Sequence, residues 1–422
     1  MFIMLIVSLF LILFCIGAFE KSVILVGASL LFLSNLMSGI PGVKLLYLVV
    51  LVQLAVYYVK GFNRRYKDNY PRILWIPCAF AAIGYLISSI TGESKGIPTT
   101  IVNIIVCFVY PFLFFKVVNS GKRLKMYIRW LLIFMAIVAV YAVIEAITNH
   151  NYYVEFAKES GIIDGIISGD ERILRFGLPR CNSFFPFSSG LGMCSAMLFF
   201  LLVFMRIYNI RVSAPLEIFM FLMSVICVAL CGTRSQMVVF AVLVLGLFLN
   251  MDFLKSTQSK KLIILGVIVL IAATPYFLDI VDSVINSDVR NEGSSEHMRE
   301  LQYAIGFDYL LQSPLFGHGR GFLWEVAIYN NPDLFGAESV WLQLMIEYGL
   351  VGCVTYAAIC ICCGIWIGSF KRFLIIIPIA FVVGKTISIV AGIEINYLLL
   401  LCIIYKKMEF YYLSGNSLIP KK

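Results

Sequence analysis

Charged residues are scarce in this sequence. Asp, Glu, Lys and Arg together make up 14% of it, against about a quarter in soluble domains. A water-facing surface cannot be built from so few, which excludes a water-soluble fold. Histidine is scarcer still. The three residues, His150, His297 and His318, are too scattered for a zinc site. There is no Walker A loop, and no acidic cluster of the DxD kind beside an apolar run. Neither a cofactor nor a metal is therefore expected. No basic tract interleaved with aromatics is present, so no nucleic-acid partner is expected despite a net charge of +9. The twelve cysteines fall mostly singly inside apolar runs (Cys15, Cys78, Cys107, Cys194, Cys227, Cys402). They read as small packing residues rather than a disulfide framework. No repeat of fixed period and no low-complexity tract appears.

Apolar residues are abundant instead, at 61% with a mean hydropathy of +0.94. A membrane-spanning helix needs about 20 of them in a row. Such runs lie near 2–19, 22–38, 43–59, 73–91, 99–118, 130–148, 188–205, 216–233, 235–250, 262–278, 339–369 and 373–391, with a short return span at 394–405. The expectation is an all-α polytopic membrane bundle of about 12–13 transmembrane helices, a single transmembrane domain over 1–422. The run at 339–369 is long enough to tilt, or to begin as a helix outside the lipid. Met1 to Phe19 lacks a basic n-region and a small-residue cleavage site, so it is expected to be a retained span.

Basic residues mark alternate loops, as the positive-inside rule demands. Lys60, Arg64, Arg65, Lys67 and Arg72 define one cytoplasmic loop, and Lys116, Lys122, Arg123, Lys125 and Arg129 the next. Arg206 with Arg211, Lys255 with Lys260 and Lys261, and Lys371 with Arg372 mark others; Lys406 and Lys407 put the C-terminus inside. Two long loops then fall outside, at about 149–187 and 279–338. Loops longer than about 12–15 residues are usually functional or disordered, and the apolar and aromatic content of these two favours folded structure.

The outer cations are mostly arginine. Arg is a rigid fork that grips phosphate in bidentate fashion and keeps its charge when partly buried. Arg172, Arg175 and Arg290 are expected to pair with acids of their own loops. Arg180, Arg234, Arg299 and Arg320 have contexts that favour binding. Arg234 sits between two apolar runs, where a charge marks function by default. Arg180 opens a stretch of polar residues, aromatics and prolines that ends at Ser188-Ser189-Gly190.

A surface helix is expected near 295–312, with Ser294 or Ser295 as cap and Met298, Leu301, Ile305 and Leu310 as an irregular apolar face. It carries Arg299 and is stopped by Pro314. The following Pro314-Leu315-Phe316-Gly317-His318-Gly319-Arg320-Gly321 allows close backbone approach to an anion. Glu338 and Glu347 then enter a span nine residues apart, on roughly opposite faces, so they are not a paired dyad. Glu338 is placed to act on a ligand in the outer loop. Glu347 lies deeper, suited to packing against an Arg or a polar group. His318 is the histidine best placed for chemistry.

Together these motifs resemble the O-antigen polymerase and ligase superfamily of bacterial envelopes, most strongly over 180–352. An Arg-x-x-Ser-x-Phe-x-x-Pro pattern is matched, with an offset of a residue or so, by Arg180 to Pro186. A Ser/Thr-Arg turn is matched by Thr233-Arg234, and an Arg-bearing helix with its Pro-Leu-x-Gly-x-Gly-x-Gly loop by Arg299 and by Pro314 to Gly321. The last motif reads Glu338-Ser339-Val340-Trp341-Leu342, then Glu347, Gly349 and Gly352. The family's ligases carry His where this chain has Glu338, which favours a Wzy-type repeat-unit polymerase.

The resemblance implies a GT-C-like glycosyltransferase in the bacterial inner membrane, with its active site on the periplasmic face. Its donor is a growing glycan on undecaprenyl pyrophosphate; its acceptor is one lipid-linked repeat unit. It implies Glu338 and Arg234 as catalytic residues, with Arg180, Arg299 and Arg320 holding pyrophosphate. A chain-length regulator protein is an expected partner. Two alternatives stand beside it: an O-antigen ligase that moves glycan to lipid A core, and a flippase for lipid-linked oligosaccharide. The flippase reading is weakened by the absence of a two-fold repeat.

Overall fold

The computed structural model describes residues 2–33, 45–66, 70–94, 96–159, 174–175, 178–185, 187–248, 296–334, 337, 339–387 and 395–413. Helices α1 (Phe2–Gly17), α2 (Phe19–Leu33) and α3 (Leu45–Val59) open the chain. They are followed by α4 (Arg72–Thr91), α5 (Ile97–Val117) and α6 (Gly121–Thr148). A short helix α7 (Tyr152–Glu159) and a two-residue hairpin, Leu174–Arg175 with Leu178–Pro179, lead to α8 (Ser188–Ile207). Next come α9 (Ala214–Leu230), α10 (Arg234–Phe248) and α11 (Glu296–Gln312). The chain continues with α12 (Val340–Gly368), α13 (Ile376–Thr386) and α14 (Ile395–Met408). Among the described residues, α4, α5, α6, α8 and α12 are each long and apolar enough to cross a bilayer. The expected run 262–278 lies outside the described residues. Apart from it, each expected span has a helix, and the expected helix at 295–312 is α11.

Which faces are buried shows what solvent the bundle is built for. On α4 the apolar Trp75, Phe80, Ile83 and Ile90 are exposed, while Ser88 and Ser89 are buried. On α9, Ile218, Leu222 and Ile226 form an exposed stripe at four-residue spacing, and Ser224 and Cys227 point inward. Apolar outside and small or polar inside is the arrangement of a helical membrane bundle, where lipid is as apolar as leucine and close packing drives association. The protein is a polytopic helical membrane protein. At its centre is α8, buried at every position from Leu191 to Met205; a helix that is apolar all round belongs inside. Glycines let neighbours approach: a Cβ on Gly246 would meet Ile376 of α13 at 2.6 Å. Cys360 and Cys363 have the spacing of a CxxC pair, yet the cysteines are free thiols and most are buried, as packing residues are.

Helix α12 is broken inside its apolar run. Gly349 takes φ 62° and ψ −155°, a conformation open only to glycine. In an unbroken helix the Leu350 and Val351 amides would bond the carbonyls of Ile346 and Glu347. Here the segment following α11 lies in the gap. Pro314 O accepts from Leu350 N (2.9 Å) and Leu315 O from Val351 N (3.1 Å). Ile346 O accepts from His318 N (2.9 Å) and Glu347 O from Gly319 N (3.0 Å). Ser88 Oγ adds a bond to Glu347 O at 2.6 Å. Irregular backbone at membrane depth is tolerated only when its polar groups are satisfied by protein, and these bonds meet that requirement. Ser88→Ala removes one of them, and a loss of about 1 kcal/mol in thermal stability is expected, measurable as a lower Tm in detergent.

The environment of α11 differs from the sequence expectation. Met298 and Leu301 are exposed, while Gln302, Gly306, Tyr309 and Leu310 face the protein. Gly306 is seated against Leu342, where a Cβ would come within 2.7 Å, and Tyr303 Oη lies 2.8 Å from Ser339 Oγ. The helix thus packs on the first half of α12 through Gly306 and Tyr303, with Met298, Leu301, Phe307 and Leu311 left on its outer face. A small residue at 306, not a leucine stripe, decides which face is inside.

Candidate functional site

The fold assembles two groups of candidate side chains. The first is built on the turn between α9 and α10. Only Cys231, Gly232 and Thr233 separate these helices, and Gly232 has φ +58°. Arg180 packs directly on that turn: a Cβ on Gly232 would lie 2.8 Å from Arg180 Cγ. Its Nη2 donates to Ser188 Oγ at 2.9 Å. Arg234 is the first residue of α10, half-buried, and its Nε is enclosed without a hydrogen-bond partner among the described residues. An enclosed charged donor left unmatched is costly. The positive end of the α10 dipole adds to both guanidinium charges. Such a concentration of positive charge and directed N–H groups suits an anion.

The second group is built on the loop that fills the break in α12. Glu347 is fully buried. Its Oε1 accepts from Gly321 N at 3.0 Å and its Oε2 from Gln343 Nε2 at 3.1 Å. Arg320 lies within Coulombic reach of this carboxylate and hydrogen-bonds Tyr348. The backbone of Arg320 is held as well, since its carbonyl accepts from Ser94 Oγ at 2.7 Å. His318 is buried beside it. Its Nε2 is 3.0 Å from Tyr309 O, its Nδ1 is 3.3 Å from Glu93 Oε1, and its ring stacks on Phe322. Both ring nitrogens are thus engaged in joining the glycine loop to the segments around Glu93 and Tyr309.

Arg299 is exposed on the first turn of α11. One turn later, Tyr303 meets Ser339, whose Oγ accepts from Trp341 N and caps α12. Arg299 is thus carried on the end of α11 that meets the entrance of α12, whereas Tyr309, ten residues further along that helix, is what touches His318 of the Arg320 loop. Glu338 lies outside the described residues. Arg180 and Arg234 are brought into one place, and Arg320 and Glu347 into another.

Two further buried charges, Glu145 and Lys385, stand near these groups; in the sequence Lys385 reads only as one of the few outer lysines. Glu145 stands in the last turns of α6, and Lys385 near the end of α13. Both are less than a tenth exposed. Pro378 packs on Gly364 of α12, and Gly384 on Met193 of α8 and Val239 of α10. Lys385 follows Pro378 by two helical turns, so it shares that face. Thr386 Oγ1 accepts from Trp341 Nε1 at 2.9 Å. Lys385 is thus enclosed in the seam between α8, α10 and α12, at the end of α10 that begins with Arg234. The signal was present in the sequence, as single charges inside apolar runs.

Comparison with known proteins gives one family match. Residues 218–357, about a third of the chain, match the family model described as O-antigen ligase. The match covers α9 through the first half of α12, including Arg234, Arg299, Arg320 and Glu347, and leaves Arg180 outside. It bears out the likeness to the O-antigen polymerase and ligase superfamily read from the motifs. No curated protein matches the chain.

Proposed function

We propose, for a chain whose residues 218–357 match the O-antigen ligase family, that it is a glycosyltransferase that polymerises lipid-linked repeat units. The observation that carries this reading is the division of the cations into two groups. Arg180 and Arg234 stand at the α9–α10 turn, with Lys385 buried near the end of α13; Arg320 stands beside Glu347 in the glycine loop, and Arg299 on the first turn of α11. A polymerase handles two substrates that each carry a polyprenyl pyrophosphate, and each needs a cationic site. A ligase has one such substrate.

In the proposed step a hydroxyl oxygen of the acceptor sugar attacks the anomeric carbon of the donor glycan. The bond from that carbon to the pyrophosphate oxygen breaks, and undecaprenyl pyrophosphate leaves with the electron pair. The hydroxyl proton passes to a carboxylate, the role given to Glu338. Arg234 and Arg180 stabilise charge as it develops on the leaving pyrophosphate, where water is excluded and such contacts are strongest. Arg299 and Arg320 hold the pyrophosphate of the acceptor. The basic loops support placing the Arg-bearing end on the non-cytoplasmic side; in this reading that is the periplasmic face of a bacterial inner membrane, and chain length is set together with a regulator protein.

The test is a glycan gel on cells lacking this protein, with and without a plasmid copy. A ladder that collapses to core plus one repeat, and is restored by the plasmid, supports the polymerase. Polymer that persists on lipid but never reaches lipid A core assigns the ligase instead, and an unchanged ladder removes both. In the same assay Lys385→Met is expected to lower polymer about tenfold at equal protein level, the effect of one charge-assisted contact.

A further inference from the structure

The segment that carries Arg180 is not held by regular structure. Its fixed points are hydrogen bonds, and two of its successive backbone amides converge on one side chain. Glu145 is 3% exposed near the end of α6. Its Oε2 accepts from Ser183 N at 2.7 Å, and its Oε1 from Asn182 N at 3.3 Å and from Asn151 Nδ2 at 2.9 Å. Asn151 Nδ2 also donates to Ser183 O at 3.0 Å, and Ser183 Oγ donates to Val138 O at 2.9 Å. Ser183 has φ +52°, a left-handed conformation uncommon for a serine. The carboxylate bonds to two successive amides hold that turn. One residue earlier in the chain, Cys181 N donates to Leu230 O at 2.9 Å. Arg180 comes next, packed on Gly232 beside Arg234.

We infer that Glu145 is the positioning residue for Arg180. Its buried carboxylate fixes where that guanidinium stands relative to Arg234, and so sets the affinity of the site for a polyprenyl pyrophosphate. This rests on the reading of Arg180 as a pyrophosphate ligand. A carboxylate suits the task because it offers acceptors only. The two backbone amides and the Asn151 amide can all point at it without conflict. Glu145→Gln keeps the size but turns one acceptor into a donor that faces an N–H. The register of 180–183 then shifts while Arg180 remains in the chain.

The experiment uses the purified full chain in lipid nanodiscs, with farnesyl pyrophosphate as the probe and farnesyl monophosphate as the control. Arg180→Ala is expected to weaken pyrophosphate binding about tenfold. Glu145→Gln is expected to weaken it by a similar factor, and the double variant no further, because both changes remove the same contact. Discrimination between pyrophosphate and monophosphate falls in parallel, which a loss of general stability does not produce. Wild-type affinity in Glu145→Gln, with Arg180→Ala impaired, overturns the inference. Losses that multiply in the double variant overturn it too. An Arg180→Ala that binds normally instead removes Arg180 from the pyrophosphate site. If Glu145→Gln does not fold, Asn151→Ala decides: it keeps the carboxylate but removes one tie to Ser183, and a severalfold loss is expected. Unchanged binding there rejects the positioning role.

Discussion

Arg234→Ala is expected to reduce long-chain glycan in complemented cells by about a hundredfold or more, the scale on which losing one preorganised donor to a developing oxyanion acts. Arg234 opens α10 at the edge of an apolar run, with its Nε enclosed and unmatched among the described residues. Removing the side chain leaves α10 free to form, because its amides bond back along the helix. The lost charge is therefore read in the product and not in protein abundance. Arg234→Lys is expected to recover little, since a single ammonium cannot reproduce the planar fork. A ladder of normal length in Arg234→Ala at wild-type protein level removes Arg234 from catalysis.

Gly349→Ala is expected to prevent accumulation of folded protein. Its backbone conformation costs an alanine on the order of 1–3 kcal/mol, and the added Cβ would stand 2.7 Å from the carbonyl of Leu315. That carbonyl belongs to the segment that satisfies the break in α12. Pushing it away exposes several backbone groups at membrane depth, each costing several kcal/mol. Fluorescence-detected size exclusion on a tagged chain gives the readout. A monodisperse peak with wild-type Tm rejects this account of the break. Replacing Gly364 with alanine is the control: its Cβ would meet Pro378 at 3.4 Å, an ordinary contact.

The helices were legible because lipid reduces their requirement to one dimension. An apolar run of sufficient length must be helical to satisfy its own backbone, and hydropathy alone located α4, α6, α8, α9 and α10 to within a few residues, apart from the basic start of α6. The α9–α10 turn was legible for the same reason, since Thr233-Arg234 is a polar interruption between two runs. The helix at 296–312 followed from its flanking serines and Pro314, but its buried face did not. Steric fit at Gly306 against Leu342 is a property of two surfaces and leaves no periodic trace in one of them.

Sequence by itself determined that this chain is a polytopic membrane bundle, and which arginines deserve testing, since both follow from residue type and local order. Tertiary structure decided the grouping. It set Arg180 on Gly232, buried Lys385 near the end of α13, and tied Glu145 to the amides that follow Arg180. It also broke α12 at Gly349 and threaded the glycine loop through the gap, so that Ser88 reaches a carbonyl 259 residues away. Contacts at such separations depend on which helices pack together. In lipid, small residues and satisfied hydrogen bonds select that packing, and hydropathy does not report it.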